Sequence, residues 1–208
     1  GEVSGIEDAF IMFNDLFGSE LDAYIGQFQV SDPLFKRELR LTYDDYEIYK
    51  TKVGSSGINF AYDRGIMLTY GFETGTDITA MVLNGTGIGE ANVIRNFDND
   101  KYKNLMGRIS QGIGENFRIG GFGYWGKEQN EIFTIGEGYQ YPENELWIAG
   151  GDATISIDPL ELNLQYVERY DDNALFNIEE QREISTRGAF AELIYRPKED
   201  ESKWYSVA

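Results

Sequence analysis

Cysteine and histidine are both absent from the 208 residues. Without them the chain can build no zinc finger, thiol nucleophile, Cys-x-x-Cys-His haem attachment or histidine-dependent triad. No disulfide speaks to its compartment either. Basic residues are scarce, with 18 Lys and Arg against 36 Asp and Glu. Neutralising phosphates needs clustered cations, so this balance argues against a DNA- or RNA-binding surface. No apolar run approaches the roughly eighteen residues of a membrane helix, so a bilayer could be crossed only by strands. Proline is rare too, at four residues, whereas there are 24 Gly, 14 Tyr and 13 Phe. That mix suits large antiparallel barrels, where Gly relieves crowding on curved strands and aromatics gather at membrane interfaces. A disordered chain would lack the aromatics. Gly1 opens no signal peptide and nothing after Lys203 reads as a closing turn. The expectation is one β-barrel domain over 1–208, truncated at both ends.

What is present is alternation. From Leu160 the residues Leu160, Leu162, Leu164 and Tyr166 fall on one side, and Glu161, Asn163 and Gln165 on the other. Just upstream, Trp147, Ala149, Gly151, Ala153, Ile155 and Ile157 oppose Gly150, Asp152, Thr154 and Ser156. A period of two is the mark of a strand with one apolar and one polar face. Only Asp158-Pro159 separates the two runs, which predicts a hairpin of strands about ten residues long, enough to cross hydrocarbon when tilted.

The same unit recurs along the chain. Strands are expected over 9–17, 21–30, 58–73, 77–85, 103–114, 117–127 and 187–197, with another beginning at 203. Gly18-Ser19-Glu20, Thr74-Gly75-Thr76 and Glu115-Asn116 make short turns, while 31–57, 86–102, 128–143 and 172–186 are long. Pro33 after Asp32, followed by Leu34, Phe35, Leu39 and Leu41, allows a helical turn or two in the first long connection, or an ordered loop. Short and long connections alternate strictly. An up-and-down barrel with tight turns at one rim and long loops at the other has that order, whereas Greek-key crossovers break it. Tyr124, Trp125, Trp147, Tyr166, Tyr170, Trp204 and Tyr205 lie near strand ends, where amphipathic rings favour the headgroup level. The fold class expected is all-β, an antiparallel up-and-down transmembrane β-barrel with at least ten strands in this chain.

The runs FQVSDPLFKRELRLTYDDYEIYKTKVG, NFAYDRGIMLTYGFE, VLNGTGIGEAN and NFDNDKYKNLMGRISQGIGENFRIGGFGYWGKE resemble porin-like outer-membrane β-barrel proteins of Gram-negative bacteria. The likeness is best over Phe10 to Lys127 and lies in strand and loop patterns. It implies a bacterial outer-membrane location, more strands than ten, and no enzymatic activity. Some proteins of this broad group are similar to the barrel component of conduits that hold a multihaem cytochrome; no haem motif stands in this chain.

Asp98 and Asp100, in FDNDKY, are the nearest approach to a calcium loop, but the Gly and the distal Glu that such a loop needs are missing. A turn is the expected role, and no metal or other cofactor is implied. Asn84-Gly85-Thr86 is a turn for the same chain. Gly85-Thr86-Gly87-Ile88-Gly89 lacks the Lys-Ser/Thr ending and the helix of a phosphate loop. Acid pairs such as Glu161 with Asp152, or Glu179, Glu180 and Glu183, are the chance companions of an acidic chain and do not predict glycoside cleavage. Functional weight falls on the polar strand face. Arg108, Asp152, Thr154, Ser156, Glu161, Asn163, Gln165 and Arg169 are the expected pore-lining residues, setting the field felt by a solute. Phe122 and Tyr124 take no side, because FRIGGFGYW loses the alternation. The function expected is passive diffusion of ions or small hydrophilic solutes through a porin-like channel in outer-membrane lipid, as a single chain or a homo-oligomer. Two alternatives stand beside it: a barrel sheathing a cytochrome partner, and a soluble carbohydrate-binding β-sandwich.

Overall fold

A computed structural model of the chain describes residues 8–31, 52–87, 100–197, 204 and 206–207. Its strands are β1 (Ala9–Phe13), β2 (Leu21–Gln29), β3 (Tyr62–Gly71), β4 (Thr76–Leu83), β5 (Asn104–Ile113), β6 (Phe117–Gln129), β7 (Ile132–Thr134), β8 (Gly138–Gln140), β9 (Glu143–Ile157), β10 (Leu160–Asp171), β11 (Ile184–Tyr195) and β12 (Ser206–Val207). All but β7 and β8 join one ten-stranded antiparallel sheet in chain order. The expected meander is therefore present, with the predicted Asp158-Pro159 turn pairing Leu160 with Ile157.

Three strand boundaries differ from the pattern, and one long connection holds a hairpin of its own. The strand expected from 58 begins at Tyr62, and 52–61 turns inward instead. The run from 9 stops at Phe13, followed by a 3-10 turn at Leu16–Gly18. The strand expected from 187 starts earlier, at Ile184. Within 128–143 a separate hairpin, β7–β8, packs Phe133 on Tyr139 with ring centroids 5.1 Å apart. The helical turns expected after Asp32 lie outside the described residues.

The sheet is open: β1 pairs only with β2, and β12 only with β11. Both edge strands are short, and β12 offers two paired positions, Val207 and Ser206. Antiparallel pairing and up-and-down order are as expected, but barrel closure is not seen among the described residues.

Burial across the sheet is inverted relative to a protein with an oily core. On β10, Leu160 and Leu164 are 45% and 39% exposed, while Glu161, Asn163 and Gln165 between them are 3%, 7% and 4% exposed. Register carries the same inversion sideways. Ile66, Val82, Leu105, Trp125 and Trp147 stand in one row across β3, β4, β5, β6 and β9, and all are exposed. The outer face is mainly apolar, and the inner face buries charged and amide side chains beside an apolar cluster.

Candidate functional site: the inner face

Each strand contributes to the inner face every second residue, and the register stacks these into rows. Near the short turns the rows are polar. Arg108 on β5 reaches across β6 to form an ion pair with Asp152 on β9, its Nη2 donating to Asp152 Oδ1 (2.7 Å). Gly120 lies beneath that guanidinium; a Cβ there would stand 2.5 Å from Arg108 Nη2. Arg118 pairs in the same way with Asp77, and its Nη1 also donates to Ser110 Oγ (2.9 Å). Further along, Thr154 Oγ1 donates to Asn163 Oδ1 (2.8 Å), and Asn163 Nδ2 donates to Glu161 Oε1 (3.1 Å) and Glu192 Oε2 (3.3 Å). Ser156 donates to Glu161 Oε2 (3.4 Å), and Arg196 Nη2 sits 3.3 Å from that same oxygen.

The middle rows are apolar, which the alternation did not foretell. Met67, Met81, Met106, Phe122, Tyr124, Ile148 and Val167 form one buried cluster with Phe28, Val30, Ile58, Phe60, Leu83 and Leu146. Phe122 and Tyr124 thus face inward, where Phe60 meets both rings edge-on at 5.7 Å. Phe60 and Ile58 belong to the inward strap, 52–61, which lies against this apolar zone as a lid lies on a seat. Gly150 makes room for Phe122, since a Cβ would fall 2.5 Å from the ring's Cζ.

Polar groups near the long-loop end hold the strap. Arg169 donates through Nη1 to the Ile58 carbonyl (2.6 Å) and through Nη2 to Ser56 Oγ (2.7 Å). Its Nε and Nη2 also donate to the two oxygens of Asp171 (2.7 Å each). Glu128 Oε2 accepts from the Gly57 N–H (2.9 Å), and Asn144 Nδ2 bridges Glu128 and Asp171 at 2.9 Å each. The Ser55 N–H donates to the Ala174 carbonyl (2.8 Å), tying the strap to the connection after β10. Two polar zones therefore flank an apolar zone of the inner face, and the strap packs on that zone.

Of the eight residues expected on the polar face, all stand on the inner face of the sheet. Seven gather in the zone near the short turns: Arg108, Asp152, Thr154, Ser156, Glu161, Asn163 and Gln165. Arg169 lies apart from them and is committed to the strap. Asp100 caps a turn, accepting from the Tyr102 N–H (2.7 Å) and the Gln129 N–H (3.0 Å); Asp98 lies outside the described residues. No group of three or more Asp and Glu poised for a metal occurs among the described residues. The Gly85 N–H donates to Asp63 Oδ2 (2.7 Å), so the glycine loop caps a buried carboxylate. Asp77, Arg118, Glu128, Asn144, Asp171 and Glu192 were not singled out from the sequence. Their alternation with Ile78, Ile119, Lys127, Glu145, Tyr170 and Leu193 was legible, but each sits where a neighbouring glycine, charge or aromatic blurs the pattern. Compared with known families, curated proteins and solved structures, the chain matches none.

Proposed function

We propose that this chain forms the wall of a bacterial outer-membrane β-barrel through which small hydrophilic solutes or ions diffuse passively. The observation that carries this reading is the outer face of a long meander, a belt of exposed apolar side chains over an inner face that buries charged and amide groups beside an apolar cluster; an exposed oily belt is what a lipid-facing barrel wall presents. The course of the oily belt adds support. On β3 it begins with Ile66, just inside Arg64; on β11 it begins with Ala189, just inside the ion pair of Arg187 with Glu168 (2.8 Å). Register puts Ala189 opposite Tyr166, in the row of Gly151, Gly121, Ile109, Ile78 and Tyr70, one row below the level of Leu68. At its other margin the belt reaches Ile78 on β4 but Tyr195 on β11. Such a slide along the strands is what keeps a belt level when strands tilt by about 35–45° in a barrel.

Trp125 and Trp147 mark the upper margin of the belt on β6 and β9. Lys127 and Glu145 follow them on the same face, and the Trp147 ring stacks on Tyr170 at 6.0 Å. Aromatic rings between oily and charged rows suit a headgroup boundary. In this reading the edges at β1 and β12 are joined, directly or through further strands, since an open edge has no place in hydrocarbon. Inside, Asp77, Asp152 and Glu161 are matched by Arg118, Arg108 and Arg196, so discrimination rests more on bore than on charge. The strap packs on the inner face, where a sheathed cytochrome would have to lie. A carbohydrate-binding sandwich needs a sheet over Leu160 and Leu164, and both are exposed.

The test is insertion of paired variants into liposomes, read by protease protection and planar-bilayer conductance. Leu164→Lys should abolish stable insertion, at a cost of about 2–4 kcal/mol if it lies near the midplane. Asn163→Lys should insert like the parent chain. Equal insertion of the two, or parent chain that partitions into water, would overturn the proposal.

A further inference from the structure

Methionine occurs only four times, at positions 12, 67, 81 and 106. All four fall in one hydrogen-bonded row of the sheet. Met12 is opposite Tyr24, Tyr24 opposite Met67, Met67 opposite Met81, Met81 opposite Met106, and Met106 opposite Tyr124. Met67, Met81 and Met106 are therefore contiguous on three neighbouring strands, with a tyrosine at each end of the trio. These three are buried, whereas Met12, beyond Tyr24, is 41% exposed.

Directly opposed residues of antiparallel strands hold their Cβ atoms about 4.5–5.5 Å apart. Three long, unbranched side chains rising from the same face of adjacent strands share one space. Thioether sulfur is a soft, neutral donor that selects Cu(I), and by the same softness Ag(I), over hard cations. Methionine also fills core gaps, a task leucine performs at little cost; what sets this cluster apart is that three of the chain's four thioethers fall side by side in it.

The surroundings suit a single positive charge. Aromatic rings attract cations to their faces, and Tyr24 and Tyr124 border the trio. A cation among uncharged sulfurs in an apolar cluster would be costly by itself. Asp63, Glu128 and Asp171 are buried on the inner face near the long-loop end, where Arg169 pairs with Asp171. Asp63 shares β3 with Met67, with only Gly65 between them on that face. Arg64 lies on the opposite face of β3, and Arg108, two residues from Met106, is neutralised by Asp152.

We propose that Met67, Met81 and Met106 form a three-thioether site for a soft monovalent cation, Cu(I) or Ag(I). The site does not depend on the channel reading, since the three side chains share the inner face whether or not the sheet spans a bilayer. The chain has no cysteine or histidine to compete for the ion, which makes the test clean. Intact chain is titrated with silver nitrate in chloride-free buffer, and retained silver is measured after gel filtration. The parent and Met12→Leu should each hold a single equivalent. Met81→Leu, which removes the central sulfur and keeps the volume, should weaken binding at least about 100-fold, more than loss of an outer-shell partner causes. X-ray absorption of silver-loaded parent, which needs no variant, should report a sulfur-only shell. No retained silver, equal binding by a Met67→Leu/Met81→Leu/Met106→Leu chain, or an oxygen shell overturns the site.

Discussion

Gly120 and Gly123 sit three residues apart on β6 and face opposite ways, and they separate two uses of glycine in one strand. At Gly120 a methyl group would stand 2.5 Å from Arg108 Nη2 and 2.9 Å from its Cζ, so the guanidinium that spans β6 could not reach Asp152 undisturbed. At Gly123 a methyl group meets nothing within 4 Å. Overfilling a packed site costs about 1–3 kcal/mol, and displacing a buried arginine leaves Asp152 without its partner. Gly120→Ala should therefore lower the urea midpoint clearly, whereas Gly123→Ala should leave it within error. Matching midpoints for the two variants would mean that the Arg108 crossing is not held by the space over Gly120. The arginine itself was readable as inward-facing because Leu105, Gly107 and Ile109 alternate with Met106 and Arg108. Its partner across the intervening strand was not, since sequence alternation assigns a face and says nothing of which residues meet across a strand.

Among the elements, the inward strap departs most from the sequence pattern. Ile58 to Phe60 looks like the opening of the next strand, because an apolar run before β3 serves equally well as a strand or as a buried segment. What decides is Arg169, more than a hundred residues later, with hydrogen bonds to Ser56 and Ile58. Removing one member of a buried ion pair costs about 3–5 kcal/mol because the other charge is stranded; here the loss falls on Asp171 and on the strap together. In Arg169→Ala, exchange of the Gly57 amide with deuterated water should accelerate strongly while amides of β9 stay protected. On the channel reading, conductance in bilayers should rise as the strap leaves the inner face. Unchanged exchange at Gly57 would show that Phe60 and Glu128 seat the strap unaided. The inner face is less polar than its alternation promised because the apolar middle rows are the seat of a segment whose destination the local sequence does not encode.

For the whole molecule, the legible part was the order of the strands and the facing of their side chains. Two-residue periodicity, short turns at Thr74-Gly75, Glu115-Asn116 and Asp158-Pro159, and long connections between them were enough to draw the meander. Closure was not legible, since it depends on what the edge strands meet. Meandering has a consequence for how the molecule assembles. Among the described residues, every ladder joins strands that follow one another in the chain, apart from the small hairpin stepped over between β6 and β9, so each can zip onto the last with modest loop entropy to overcome. The Arg169 contacts to Ser56 and Ile58 bridge 113 and 111 residues and have no such local route. In pulse-labelled exchange during refolding, β9 and β10 amides should gain protection first and Gly57 last. Protection of Gly57 ahead of the β9–β10 hairpin would reverse that order. The sheet can thus grow from one strand to the next, while the strap needs both Arg169 and the strands before it in place to be gripped.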